Sequence, residues 1–358
     1  MQTQNYKTNF DGQNIYVGLD AHKKDWKVTI MHEKIVCKTF TQPPDPDILV
    51  SYLKRNYPGA NYYSAYEASY CGFWIHNRLT ALGVTNIVVN PADIPTSDKD
   101  RKQKEDKRDS RKIAKELANN NLQGIYVPSN KTLEDRSLVR LRGTLQKDLT
   151  INKNRMKFQL YFYGIQFPSE FANSSYWSNK FIMWINSLHF ENESGNNAKG
   201  TILRQVIHLR KEVLLATQAI RKLSKTEKYK DNVELLVSVP GISLLSAMIF
   251  LTEIDNIDRF PSFDKFCSFV GLIPSTASTG EKEIIRGLTP RRSRTLRSII
   301  VENSWVAIRN DPALSLYYTE TIGRMKANRA IIKVARKLLS RIYFVLKRKQ
   351  KYVPNVIK

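Results

Sequence analysis

The stretch NIYVGLDA, residues 14–21, carries an apolar side chain at every second position and reaches a carboxylate, Asp20, just before its end. Alternation with a period of two is typical of a β-strand with one buried face. Two further runs of strand character follow at residues 28–30 and 35–37. The opening segment therefore predicts three strands joined by short turns.

Strand and helix patterns alternate in the segment that follows these strands. Residues 62–66 and 87–89 are typical of strands, and the apolar spacing over 74–82 predicts an amphipathic helix between them. Such an order favours an α/β domain with a mixed sheet. We place this domain at residues 1–128.

The middle of the chain has helical periodicity. Apolar residues three or four apart predict one long amphipathic helix over about 133–163 and a second over 202–223. The segment between them, 169–200, is rich in Asn and Ser and predicts a connection. Leucines at coiled-coil spacing allow these helices to join protomers, and a helical hairpin within one chain is the alternative. This helical coiled-coil linker region is assigned to residues 129–234.

The last part of the sequence, residues 235–358, is predicted to be mostly helical. The segment LVSVPGI, residues 236–242, precedes an apolar run and resembles the turn of a helix-hairpin-helix element. Beyond Glu320 the chain has no acidic residue, whereas Lys and Arg recur with helical apolar spacing. The C-terminal end is therefore predicted to be a basic helix.

The composition points to a polyanionic partner. The chain of 358 residues has 57 Lys and Arg against 33 Asp and Glu, a net charge of +24, which favours a nucleic-acid partner. No long apolar stretch and no signal-peptide core occur, so membrane and secretory routes are not expected. Three separated cysteines, Cys37, Cys71 and Cys267, fit a reducing cytoplasm. We expect a cytoplasmic, nucleoid-associated protein.

Four carboxylates stand where they can meet. Asp20 and Glu67 end two predicted strands, while Asp106 and Asp109 are three apart, which on a helix places both on one face at about 5–6 Å between Cβ atoms. Carboxylate oxygens suit Mg²⁺ or Mn²⁺, and phosphodiester chemistry commonly uses such ions. The alternative is that these acids cap turns or pair with basic neighbours. We favour the metal site.

Four motifs occur in a fixed order along the chain: YVGLDAHK at 16–23, YEAS at 66–69 with Cys71-Gly72, NP at 90–91 with KEDKRDS at 104–110, and a distal block formed by 240–242, 271–274 and 278–280. With these motifs the chain resembles the DEDD transposases of the insertion sequence 110 family. The resemblance spans nearly the whole chain and implies a RuvC-like (RNase H-like) N-terminal domain, a helical coiled-coil region and a C-terminal transposase domain.

The resemblance also implies roles for particular residues. The four carboxylates would form the acidic tetrad, and a serine in the loop 274–280 would be the nucleophile. We assign Ser278, with Ser275 and Thr279 as alternatives, although a serine in a Gly-containing loop is by default a turn residue. The chain departs from the family pattern in having Ser110 where alanine is usual, and in lacking the usual Gly-Asn pair within 289–294.

Basic residues that follow the serine form a candidate phosphate clamp, and a solvated face is the alternative. They are Lys282, Arg286, Arg291, Arg292, Arg294 and Arg297. The resemblance further implies a covalent phosphoserine link to DNA, donor and target DNA as substrates, and a structured bridge RNA as guide. It also implies a homo-oligomer, a dimer or tetramer, whose protomers share the site.

Aromatic residues cluster around the predicted strand at 62–66 and the helix after it. Aromatic rings can stack on nucleobases, but we expect core packing for most of these. They are Tyr62, Tyr63, Tyr66, Trp74 and His76.

The sequence thus predicts an RNA-guided DNA recombinase, and two other functions stay open. One is a metal-dependent structure-selective nuclease, such as a Holliday-junction resolvase, in which the acids hydrolyse DNA and the C-terminal part only binds it. The other is a non-catalytic nucleic-acid-binding protein. A covalent adduct between protein and DNA distinguishes the recombinase from the nuclease.

Overall fold

The computed structural model of the chain describes residues 9–95, 106–171, 177–279 and 282–354. Within those ranges, only the backbone is described for 106–108, 276–279 and 282–286. The chain divides into two compact units, Met1–Val127 and Pro128–Lys358. Each unit is described by itself below.

The first unit is built on a five-stranded mixed sheet. The strands are β1 (Asn14–Ala21), β2 (Trp26–His32), β3 (Ile35–Gln42), β4 (Asn61–Glu67) and β5 (Thr85–Val89). Their order in the sheet is β3-β2-β1-β4-β5. Strands β1 to β3 are antiparallel neighbours, whereas β4 is parallel to β1 and β5 is parallel to β4. This confirms the predicted mixed α/β sheet.

Helices cover both faces of this sheet. Helices α1 (Pro46–Asn56) and α2 (Trp74–Ala81) bury Leu49, Leu53, Ile75 and Leu79 in one core with the alternating apolar residues of β1. Helix α3 (Asp106–Ala118) packs on the other face, where Ile113 meets Ala65 of β4 and Val89 of β5. The alternating residues of β1 therefore face two helical layers. Its apolar side chains face α1 and α2, and Gly18 faces α3.

The contact between α3 and β1 is unusually close. A Cβ atom at Gly18 would overlap the carbonyl oxygen of Ser110 and the amide nitrogen of Ala114, so only glycine allows this approach. The Ser110 hydroxyl, fully buried, lies 2.9 Å from the hydroxyl oxygen of Thr29 on β2 and forms a hydrogen bond with it. The serine that replaces the usual alanine thus links α3 to the sheet.

In the second unit, helices α4 (Asn130–Phe162) and α6 (Glu193–Leu223) pack along each other. Helix α5 (Asn179–Ser187) buries Phe181 and Ile185 in a core with both. The predicted connection over 169–200 is therefore partly helical. The physical reason is that its few apolar residues form a buried stripe, and Ser178 caps α5 by accepting a hydrogen bond from the Phe181 amide.

The remaining chain of this unit is mostly helical, with one two-stranded hairpin. The predicted turn between two helices is present: Gly241 has φ +90° and Ser243 caps the following helix. The elements are α7 (Lys230–Val237), α8 (Leu244–Ile254), α9 (Phe263–Val270), β6 (Pro274–Thr279), β7 (Lys282–Leu288), α10 (Arg294–Asn310), α11 (Pro312–Ile322) and α12 (Ala327–Arg348).

One apolar core joins these elements to the long helices. It contains Val139 of α4 and Ile220 of α6 together with Val334, Leu338 and Ile342 of α12. The predicted basic helix is confirmed as α12, whose apolar stripe is buried. Across the described ranges, no helix combines the length and the apolar character that crossing a membrane requires.

We predict that Gly18→Ala destabilises the first unit. The added methyl group meets backbone atoms that cannot rotate away, so α3 must move, and overpacking of this kind lowers the free energy of unfolding by about 1–3 kcal/mol. Chemical denaturation followed by circular dichroism measures the change. Gly143→Ala is the control, since a Cβ there meets nothing within 4 Å and a helical Gly→Ala change stabilises by about 0.5–1 kcal/mol. Equal stabilities of the Gly18 variant and wild type would contradict the close contact.

Candidate nucleic-acid processing site

Two of the predicted acids lie at the carboxyl ends of neighbouring parallel strands. Leu19 of β1 is opposite Tyr66 of β4, so the next residues along the two strands are Asp20 and Glu67. Because side chains alternate along a strand, Asp20 lies on the face of Gly18, which α3 covers. Glu67 shares the corresponding face of β4 with Ala65. The sheet thus brings these two carboxylates to one edge and one face.

The other two predicted acids lie at the start of α3. This helix begins at Asp106, and Asp109 directly precedes Ser110, the residue that contacts β1 and β2. Asp109 is therefore fixed one residue from the closest helix-sheet contact. The side chain of Asp106 lies outside the described residues.

Asp20 has a histidine partner. The Nε2 atom of His22 donates a hydrogen bond to Oδ2 of Asp20 at 3.0 Å, and the Asp20 side chain is only 19% exposed against 43% for His22. A carboxylate held in this way has a restricted orientation. No role was predicted for His22 from the sequence, although its place two residues after a strand-end acid is a usable signal.

The donor set fits a hard cation, since carboxylate oxygens from adjacent strand ends are ligands that Mg²⁺ and Mn²⁺ accept. Among the described side chains, which do not include that of Asp106, no group of three His, Cys, Asp or Glu is close enough to hold a metal ion. The structure therefore places Asp20 beside Glu67 and fixes the backbone of the α3 pair, and the complete tetrad remains a prediction.

The loop that follows Glu67 is braced against the same edge of the sheet. The buried Tyr66 hydroxyl donates to the carbonyl oxygen of Gly72 at 2.9 Å, and the Ala68 amide donates to Val89 at 2.8 Å. Burial raises the pKa of Tyr66 far above its usual value, so the hydroxyl keeps its proton. Tyr66 thus packs in the core as expected. The loop is a fixed feature of the site.

The expected serine loop over 274–280 is wrong in its secondary structure. Residues Pro274–Thr279 form strand β6, antiparallel to β7, with Ser278 opposite Glu283. The physical reason is that β-branched residues, Thr276 on β6 and Ile284 and Ile285 on β7, favour strands over loops.

Several side chains of this hairpin lie outside the described residues, where only the backbone is given. Among the predicted site residues, these are Ser278, Thr279, Lys282 and Arg286. Ser275, the alternative nucleophile, is partly buried on β6 opposite Arg286.

The remaining predicted clamp residues divide into two groups. The Nη1 atom of Arg297 donates to the carbonyl oxygens of Gly271, at 3.1 Å, and Thr289, at 2.8 Å, which flank the hairpin. Burial, with a contribution from Arg292, lowers the pKa of Arg297. Arg291, Arg292 and Arg294 are exposed. Arg297 therefore braces the base of the hairpin, while the exposed arginines stand where a phosphate can reach them.

A mixed α/β unit with paired strand-end acids and a helical unit with exposed arginines just after its hairpin are features that suit a protein that processes nucleic acid. A DEDD transposase model of the IS110 type matches residues 17–165, and the model described as "Transposase IS116/IS110/IS902 family" matches residues 233–319. The two matches include all four predicted acids and Ser278. The chain belongs to the IS110 family of insertion-sequence transposases.

Individual relatives agree with these matches. The candidate transposase y4qE of Sinorhizobium fredii is 26% identical over 249 residues, which cover 68% of this chain and 58% of y4qE. The transposase for insertion sequence element IS1533 of Leptospira borgpetersenii is 25% identical over 305 residues, 82% of this chain and 85% of the relative. The transposase for insertion sequence element IS1111A of Coxiella burnetii is 22% identical over 286 residues, 77% of this chain and 75% of the relative.

We predict that Arg297→Ala and Arg294→Ala have different effects. Arg297→Ala removes two charge-assisted hydrogen bonds and leaves two carbonyls without their donor, so it lowers the free energy of unfolding by about 1.5–3 kcal/mol. The exposed Arg294 contributes little to stability, and its loss reduces the slope of log DNA affinity against log salt by about 0.9 if it contacts a phosphate. Thermal denaturation and salt titration of DNA binding measure the two effects. Equal stability losses in both variants would contradict the division.

Proposed function

We propose that this chain is the DNA transposase/recombinase of its insertion sequence and that it cuts and rejoins DNA through Ser278, with divalent cations held by the acidic tetrad. The observation that carries the proposal is the β1–β4 register, which sets Asp20 beside Glu67 on the face covered by α3. Family membership supplies the substrate class, DNA.

The tetrad of Asp20, Glu67, Asp106 and Asp109 would hold Mg²⁺ or Mn²⁺. Such ions neutralise charge on a phosphate and lower the cost of deprotonating the attacking oxygen. The sheet register sets Asp20 beside Glu67, and the α3 contact positions the backbone of the helix that carries Asp106 and Asp109. His22 orients the Asp20 carboxylate through their 3.0 Å hydrogen bond.

The reaction proposed for Ser278 is a transesterification. A bond forms between its hydroxyl oxygen and the phosphorus, and the bond from phosphorus to the leaving deoxyribose oxygen breaks. The proton lost by the serine is balanced by the one that the leaving oxygen gains. The phosphoserine link keeps the bond energy, so the cut end can be joined to another strand. Because Ser278 lies on a strand that pairs with β7, its backbone has a defined position. Ser275 and Thr279 remain the alternative nucleophiles.

The phosphates would be bound by the basic residues of the hairpin region. We propose that Arg291, Arg292 and Arg294, which are exposed, contact donor or target DNA together with Lys282 and Arg286. The net charge of +24 also suits a structured guide RNA, because phosphates attract Lys and Arg whatever the sequence. Action on chromosomal DNA places the protein at the nucleoid.

A homo-oligomer, a dimer or tetramer, is part of the proposal. Large apolar side chains lie exposed along the two long helices, which supports burial against another copy as in a coiled coil. They include Leu141, Ile151 and Phe158 on α4 and Ile207 and Leu214 on α6.

A structure-selective nuclease is the second candidate. It is favoured by one observation: all four predicted acids belong to the unit Met1–Val127, so hydrolysis by an activated water would need no residue of the other unit. The two functions differ in whether a covalent intermediate forms.

We predict that Asp20→Asn and Asp109→Asn each reduce DNA strand exchange by at least about 100-fold, since removing one group that stabilises transition-state charge commonly costs that much. An assay with donor DNA, target DNA and the guide RNA in Mg²⁺ measures the loss, and circular dichroism checks the fold. Asp25→Asn is the matched control, because Asp25 pairs with Lys27 beside the same strand ends. Wild-type rates in both variants would rule out the tetrad.

We predict that Ser278→Ala abolishes the covalent adduct while DNA binding persists, because the variant lacks only the attacking oxygen. Denaturing gels with end-labelled DNA should show a protein-linked band for wild type and none for the variant. Ser275→Ala, on the same strand, should keep the band. If Ser275→Ala loses the band instead, the nucleophile is misassigned; if wild type cleaves but never forms an adduct, the nuclease is correct.

A further inference from the structure

Two large aromatic side chains are exposed near the strand ends that carry the acids, one in the loop after β4 and the other on α2, which covers the opposite face of the sheet. Tyr70, three residues after Glu67, is 69% exposed, and Trp74, the first residue of α2, is 49% exposed. Neither exposure follows from a need to fold, since exposed aromatic surface costs free energy in water. Tyr and Trp are enriched at interaction sites, because each combines a large apolar ring with a polar group.

The two rings are carried by a rigid support. The loop between them is held by the Tyr66 hydroxyl on the Gly72 carbonyl at 2.9 Å, and Gly72 has φ +62°, which favours glycine. Trp74 lies against the buried Trp26 of β2, with ring centroids 6.0 Å apart. A preorganised aromatic surface loses little entropy when a planar ligand stacks on it.

Two exposed lysines lie near the same strand ends as the acids. Lys23 and Lys24 are exposed in the turn that joins β1 to β2, and this turn is closed by the His22 amide bonding to the Asp25 carbonyl at 3.1 Å. The loop after Glu67 also approaches the end of β1, where Cys71 Sγ lies 4.0 Å from the Ala21 carbonyl oxygen. Aromatic rings beside exposed lysines are the combination that binds single-stranded nucleic acid.

We infer that Tyr70 and Trp74 form a stacking platform for unpaired bases of the DNA beside the acidic edge. This inference rests on the proposed function and adds a substrate feature to it, namely that the strand near Asp20 and Glu67 is unpaired. The rings stack on the bases, and Lys23 and Lys24 contact the phosphates on either side. Stacking accepts any base, so the platform positions the strand without selecting its sequence.

Fluorescence anisotropy with the full chain in EDTA tests the platform, using a labelled single-stranded DNA and the duplex of the same sequence. Tyr70→Ala and Trp74→Ala should each weaken single-strand binding by about 5- to 100-fold and leave duplex binding within about twofold of wild type. Tyr70→Phe should bind as wild type, because it keeps the ring. Tyr161→Ala is the matched control, an aromatic residue that is 81% exposed on α4.

The salt dependence separates stacking from charge. Tyr70→Ala should leave the slope of log affinity against log salt unchanged, whereas Lys23→Gln should reduce it by about 0.7. The inference is overturned if Tyr70→Ala binds single strands as wild type does, or if it weakens duplex binding equally. If Trp74→Ala does not fold, the binding of Tyr70→Ala alone tests the inference. If wild type exchanges strands and Asp20→Asn does not, the proposed function holds even when the stacking platform is disproved. If wild type exchanges no strands, the proposed function is wrong whatever the binding data show.

Discussion

The approach of α3 to β1 at Gly18 is the contact on which the first unit depends. No side chain separates the strand from the backbone of Ser110 and Ala114. The buried Ser110–Thr29 hydrogen bond fixes the helix against β2 as well. Because Asp109 directly precedes this contact and Asp20 follows it two residues along the strand, the packing of glycine against a helix determines where two of the four acids stand. The positions of Asp20 and Asp109 are thus determined by backbone packing rather than by interactions between the acids.

The second unit uses buried charge for a comparable purpose. Glu253 of α8, 6% exposed, accepts two hydrogen bonds from Arg140 of α4, at 2.7 and 2.8 Å, which raise the pKa of that arginine. Arg136 donates to the Thr252 carbonyl one residue away at 2.8 Å. These bonds tie a long helix to the helices of the C-terminal core. Together with the hydrogen bonds of Arg297 at the base of the hairpin, these bonds give the exposed arginines Arg291, Arg292 and Arg294 a fixed support.

The sequence predicted the strands of the first unit because alternation depends only on which face is buried. It did not predict the α3 contact, since Gly18 has no local signal that distinguishes close packing from a turn. The family resemblance implied a loop around Ser278, but the β-branched residues of both strands favour a strand there. Tyr70 was missed because an exposed aromatic in a loop has no periodic partner in sequence. Long-range pairing and close backbone contacts are therefore what pattern alone could not supply.

We propose that packing of α3 on the sheet assembles one carboxylate site from Asp20, Glu67 and the α3 acids. The decisive measurement is Mn²⁺ binding, followed by electron paramagnetic resonance in the absence of DNA. We expect that wild type binds the ion, that Asp20→Asn and Asp109→Asn each lose this binding, and that Asp25→Asn retains it. Undiminished Mn²⁺ binding in both Asp20→Asn and Asp109→Asn would show that these acids do not form a common metal site.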